Sequence, residues 1–142
     1  MTRILALFLF LNGYQATPAL PRETVQAVVN EVINCEELTG FTAFYTNRKD
    51  RMYFRFTPSP TYNKQTLRAL RSVVLTFNQS APLVYDEEQD EKRKPVLTIQ
   101  LVHLTRDSAQ VRLGFPIEGV VGQFTLVHRG TWRLVKRDVY EI

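Results

Sequence analysis

The stretch KPVLTIQLVHLTRDSAQVRLGFPIEGVVGQFTLVHRGTWRLVKRDVYEI, Lys94 to Ile142, decides the fold: its turn residues and its side-chain alternation both describe four consecutive antiparallel strands. In the last hairpin a three-residue loop, His128-Arg129-Gly130, puts glycine where a left-handed backbone is needed. Leu126 then faces Trp132 and Phe124 faces Leu134, while Thr125 faces Arg133 and Gln123 faces Val135 on the other side. A two-residue turn at Glu118-Gly119 sets Ile117 against Val120, Phe115 against Gly122, Leu113 against Phe124 and Val111 against Leu126. A loop at Arg106-Asp107-Ser108 sets His103 against Val111, Leu101 against Leu113, Ile99 against Phe115 and Leu97 against Ile117. One face is thus apolar from Leu97 to Leu134. The other carries Thr98, Gln100, Gln110, Arg112, Thr125, Arg133 and Arg137 and is read as solvated.

A sheet with one apolar face needs a cover, and the upstream sequence supplies two amphipathic helices. From Pro21 to about Cys35, Val25, Val28, Val29 and Val32 recur at helical spacing, with Pro21 and Glu23 suited to a helix start. From Asn63, a capping residue, to Phe77 the stripe is Leu67, Leu70, Val74 and Phe77. Between them the runs Phe41 to Thr46 and Met52 to Thr57 alternate and predict a hairpin around Asn47-Arg48-Lys49-Asp50, ended by Pro58 and Pro60. A short strand near Leu83 to Tyr85 precedes Asp86 to Lys94, where eight of nine residues are charged, as in a solvated loop. The expected class is α+β: an antiparallel sheet ending in a four-stranded meander and packed on two helices.

The 142 residues suit a single domain, and a formal charge of +4, scattered over both halves, points to no particular partner. At the amino end Met1-Thr2-Arg3, the apolar run Ile4 to Leu11 and a polar, small-residue segment up to Ala19 have the layout of a secretory signal peptide. Residues 1–19 are therefore expected to be a signal and 20–142 the domain, secreted or periplasmic and without a stable membrane anchor. The apolar run is too short to span a bilayer as a helix. Cys35 is the only cysteine, which excludes an intramolecular disulfide, and it reads as a helix-end core residue. Asn78-Gln79-Ser80 fits the glycosylation acceptor pattern.

The meander, with Ala109-Gln110-Val111-Arg112-Leu113 and then Gln123-Phe124-Thr125-Leu126-Val127-His128-Arg129-Gly130-Thr131-Trp132-Arg133-Leu134-Val135, resembles the nuclear transport factor 2-like superfamily, of the cystatin-like α+β roll type. The resemblance implies a curved sheet wrapping helices into a cone with a pocket, and a family holding both enzymes and non-catalytic binding or accessory domains. Cystatin-type inhibition fits poorly, since Gln110-Val111-Arg112-Leu113-Gly114 has Arg112 where that hairpin has valine.

Candidate chemistry is sparse. The inward face of the meander holds no Asp or Glu, and His103 is the one titratable side chain that the register turns inward from a strand interior. His128 falls in a hairpin loop and lacks the further ligands a zinc site needs, so no metal and no cofactor are expected. Aromatic and basic residues interleave from Phe44 through Tyr45, Arg48, Arg51 and Tyr53 to Arg55, a mixture that can bind single-stranded nucleic acid. With a secretory start and no recognition-module signature, that run is read instead as a two-faced hairpin, and nucleic acid is not an expected partner. The expected function is a non-catalytic binding or accessory domain taking a small apolar ligand or a protein partner, with homodimer formation allowed. Its pocket would be lined by His103, Phe115, Phe124, Trp132, Tyr45 and Tyr53. The alternative is an isomerase- or hydrolase-type enzyme using His103 with Tyr45 or Tyr53.

Overall fold

Four strands follow one another in antiparallel order: β5 (Val96–Leu104), β6 (Ser108–Phe115), β7 (Val120–Arg129) and β8 (Thr131–Glu141). They form most of a six-stranded sheet in the order β4 (Val84–Tyr85), β1 (Tyr53–Thr57), β5, β6, β7, β8. The computed structural model describes residues 20–48, 50–77, 81–87 and 94–142. The expected signal segment 1–19, Lys49, the Asn78-Gln79-Ser80 triplet and residues 88–93 of the charged run lie outside them. The class is α+β, as the sequence predicts. The sheet is mixed rather than purely antiparallel, because β1 (Tyr53–Thr57) joins β5 in parallel and β4 (Val84–Tyr85) joins β1 in parallel.

Away from two bulges, all three hairpins keep the expected faces with a register displaced by two residues. Ile99 pairs with Leu113 rather than Phe115, Phe115 with Val120 rather than Gly122, and Leu126 with Leu134 rather than Trp132. The turns explain the offsets. Pro116–Glu118 forms a 3-10 turn closed by Gly119 at φ 64°, a longer connection than Glu118-Gly119 alone. At the last hairpin Gly130, at φ 76°, turns almost alone between the paired Arg129 and Thr131. An even displacement leaves side chains on their own face; beyond the bulges the displacement is odd, so Arg137, expected on the solvated face with Arg133, lies opposite Phe124 instead. Leu97, Ile99, Leu101, Ala109, Val111, Leu113, Phe115, Val120, Phe124 and Leu126 are accordingly buried. Trp132 and Leu134 pack only partly against this core, since β8 is the edge strand.

Two bulges break the alternation. Val102 is an extra residue in β5, between Leu101, which pairs with Val111, and His103, which pairs with Gln110. Val135 is the extra residue in β8. The first bulge moves the inward position from His103 to Leu104 and leaves His103 exposed, correcting the expected orientation.

The sheet is covered by α1 (Arg22–Ile33), whose Val25, Val28, Val29, Val32 and Ile33 are all fully buried. Each such side chain contributes about 1.5–3 kcal/mol of transfer free energy. The predicted strand at Phe41 to Thr46 is instead part of a second helix, α2 (Glu36–Asn47). The alternating reading missed that Leu38, Thr42 and Tyr45, the buried residues of α2, are spaced by four and three. Threonine usually weakens a helix interior. Here Thr39, Thr42 and Thr46 donate their hydroxyls to carbonyls one turn back, Cys35, Leu38 and Thr42.

The second predicted helix is much shorter than its pattern. Asn63 does cap it, Oδ1 accepting from Thr66 N at 2.9 Å. Yet α3 (Lys64–Leu67) passes into a 3-10 turn, Arg68–Ser72, and the chain is extended from Val73 onward. Three side chains from one edge of α1 take up the backbone there. Gln26 Oε1 accepts from Val74 N at 2.8 Å, Asn30 bonds both Val74 O and Thr76 N at 3.0 Å, and Asn34 donates to Thr76 O at 2.9 Å. Val73 and Leu75 are consequently buried and Val74 is exposed. Phe77 then pairs with Ala81 in a minor two-stranded ladder of β2 (Thr76–Phe77) and β3 (Ala81–Pro82).

Candidate functional site

The six residues named from the sequence do not assemble into one pocket. Phe115 and Phe124 are fully buried and belong to the core. Tyr53 pairs with Val96 at the start of β5, while His103 stands seven residues further along that strand, about 23 Å away at roughly 3.3 Å per residue. Tyr45 lies towards the Tyr53 end of the sheet. Its hydroxyl donates to Glu118 Oε1 at 2.7 Å, and its ring meets Phe115 edge-on at 5.5 Å. Burial, reinforced by the hydrogen bond and the charge of Glu118, pushes the Tyr45 phenol up to about 12. Tyr45 is therefore a structural tie between α2 and the 3-10 turn. Trp132 stands at the opposite end of the sheet.

At that end is a cleft of about 700 Å³, lined by Leu20, Pro21, Thr24, Tyr62, Leu104, Thr105, Arg106, Asp107, His128 and Trp132. Each wall has a local cause. The β5–β6 loop is folded by Thr105, whose hydroxyl accepts from Ser108 N at 3.1 Å while its own N–H donates to Ser108 O at 2.8 Å. Leu104 faces the cleft because the Val102 bulge reset the strand's alternation. Pro58 and Pro60 end β1, and side chains replace the ladder beyond it: Thr61 donates to Val102 O at 3.2 Å and the Tyr62 hydroxyl to Leu104 O at 3.3 Å. Gly130 allows the tight β7–β8 turn that brings His128 against Trp132, ring centroids 5.1 Å apart and tilted by 54°.

The floor is apolar and aromatic, while His128, Thr105, Arg106 and Asp107 give the rim donors and acceptors. This arrangement suits retention and orientation of a molecule with an apolar body and a polar end. The Arg106–Asp107 ion pair, at 3.7 Å between strongly exposed side chains, adds polarity rather than stability. Among the described residues no group of three His, Cys, Asp or Glu could hold a metal ion. Only Trp132 belongs both to the predicted set and to this cleft. Leu104 was hidden by the bulge, and Tyr62 by the irregular segment after Pro60. Leu20 stood at the junction with the expected signal peptide.

A second recess, of about 520 Å³, is basic. Arg55, Lys64, Arg68 and Arg71 line it with Tyr85 and Glu87. Glu87 pairs with Arg71, whose guanidinium also lies 5.8 Å from the Tyr85 ring centroid. Cys35, at the junction of α1 and α2, is buried, and burial raises its thiol pKa against the opposing pull of the Leu38 N–H. That environment keeps it protonated and inert. Among the described residues no helix is long and apolar enough to cross a membrane. Compared with known proteins, the chain matches no family model, no curated protein and no solved structure.

Proposed function

We propose that this chain is a secreted or periplasmic, non-catalytic binding or accessory domain, and that its binding site is the Trp132 cleft rather than the interior of the roll. The observation that carries the reading is the apolar cleft itself, with Trp132, Tyr62, Leu104 and Leu20 on its surface and polar groups at its rim. The inward aromatics Phe115 and Phe124 are already used by the core. The layout of the first nineteen residues supports export, and the meander pattern supports a distant relation to the nuclear transport factor 2-like superfamily. The ligand class is a small molecule with an apolar body and one polar end, or an apolar side chain presented by a protein partner.

Native mass spectrometry of the protein purified without denaturation tests this reading. The expected result is a retained mass that Leu104→Arg abolishes while the circular dichroism of the variant stays that of the parent. A bare protein mass from its native source, or an adduct that survives Leu104→Arg, would count against the cleft.

A further inference from the structure

Among the described residues the outer edge of β8 is open. β7 pairs with one side of the strand, no strand among the described residues pairs with the other, and every residue from Thr131 to Glu141 is exposed except the half-buried Trp132, Leu134 and Val139. Exposed edges of this length normally carry a device against indiscriminate pairing. Here the Val135 bulge interrupts the strand, and Lys136 to Glu141 forms a regular run beyond it. The N–H of Ile142 donates to Gly119 O at 2.8 Å, towards β7. Alternation then turns the N–H and C=O groups of Glu141, Val139 and Arg137 outward, to the free edge.

We infer that β8 is a self-pairing edge, and that two copies of this chain associate antiparallel through it about a two-fold axis at Val139. The register follows from the charges. With Val139 opposite its own copy, Arg137 of each chain faces Glu141 of the other, and all three outward-turned residues exchange backbone hydrogen bonds. Moving the axis to Asp138 sets like carboxylates against each other, and moving it to Arg137 does the same with guanidinium groups. Both moves also push the pairing onto the bulge. Arg137 already holds Glu37 of α2 at 3.3 Å, and its remaining donors are enough for a second carboxylate. Tyr140 and Ile142, the latter 85% exposed, flank the axis and lose water on pairing. A two-fold interface of this kind closes on itself, so the edge yields a dimer and not a fibre.

Sedimentation equilibrium of the intact chain, with circular dichroism of each variant, tests the proposal. The parent should show a concentration-dependent monomer–dimer equilibrium. Val139→Pro removes an N–H that the β7 ladder does not use, so the variant should keep its fold and weaken association by at least about tenfold. Glu141→Arg should do the same by opposing Arg137, and Arg137→Glu combined with Glu141→Arg should restore the dimer. A parent that stays monomeric at every concentration, a folded Val139→Pro that dimerises like the parent, or a folded double variant no better than Glu141→Arg would each overturn it. None of these outcomes depends on whether the Trp132 cleft holds a ligand.

Discussion

The meander and the segment from Glu36 to Phe77 are both rich in regular hydrophobic patterns, yet only one of them forms what its pattern describes. In the meander each strand is held by the next strand in sequence, so local turns and alternation are enough to choose the buried face. Within the segment 36–77, residues 73–77 are shaped by partners distant in sequence. Residues 73–77 are extended despite a helical stripe because Gln26, Asn30 and Asn34 capture their backbone, whereas α2, held by local bonds, is a helix because Leu38, Thr42 and Tyr45 follow a helical spacing that the alternating run obscures. A periodic pattern names a structure reliably when only one period fits the run and no outside group competes for its backbone. It is easily overruled when a hydrogen-bonding partner comes from another element.

The strongest way to break this contrast is to damage the meander itself. A Cβ on Gly122 would lie 2.5 Å from the Phe124 ring, inside the packed face. Gly122→Ala should therefore cost about 1–3 kcal/mol of global stability, read as a lower midpoint in denaturant with an unchanged slope. A midpoint within error of the parent would mean that the sheet's interior is looser than this packing implies.

A smaller and more local effect is expected from Asn30→Ala. It removes the two bonds that hold Val74 O and Thr76 N, at a cost of about 1–2 kcal/mol. Hydrogen exchange should quicken selectively at Thr76, whose N–H loses its acceptor, while Val74 keeps Gln26 Oε1 and β5 to β7 stay protected. If Thr76 keeps its protection, or residues 73–77 form a longer helix without loss of stability, side-chain capture is not what ends the helix.

The smallest effect concerns the tie between the two regions. Because the folded state holds the Tyr45 phenol near 12 against an ordinary value of 10, it favours the neutral form. That contribution is complete below pH 10 and is lost as pH rises from 10 through about 12. Tyr45→Phe should be slightly less stable than the parent at pH 8, and the gap should close between pH 10 and pH 12. A gap that stays constant over that range would remove Tyr45 from the account.

The meander's apolar residues were legible because errors of two residues preserve the face, and the α1 valines because they repeat over three turns. The site was less legible. Bulges leave no mark in a hydrophobic pattern, so nothing in the sequence distinguished His103, turned outward, from Leu104, turned into the cleft. Tyr62 reaches the same cleft from a proline-bounded irregular segment, where no periodicity exists to read. Trp132 was found because it sits beside a glycine turn, whose chemistry is local.

Trp132 is the only tryptophan in the chain, so it reports on the cleft directly. Excitation of Trp132 in the presence of 1-anilinonaphthalene-8-sulfonate, an apolar ring system with one anionic end, should give saturable energy transfer to the bound probe. Leu104→Arg, folded by circular dichroism, should abolish that transfer. Transfer that never saturates, or that persists unchanged in Leu104→Arg, would contradict the assignment of the binding site to this end of the sheet.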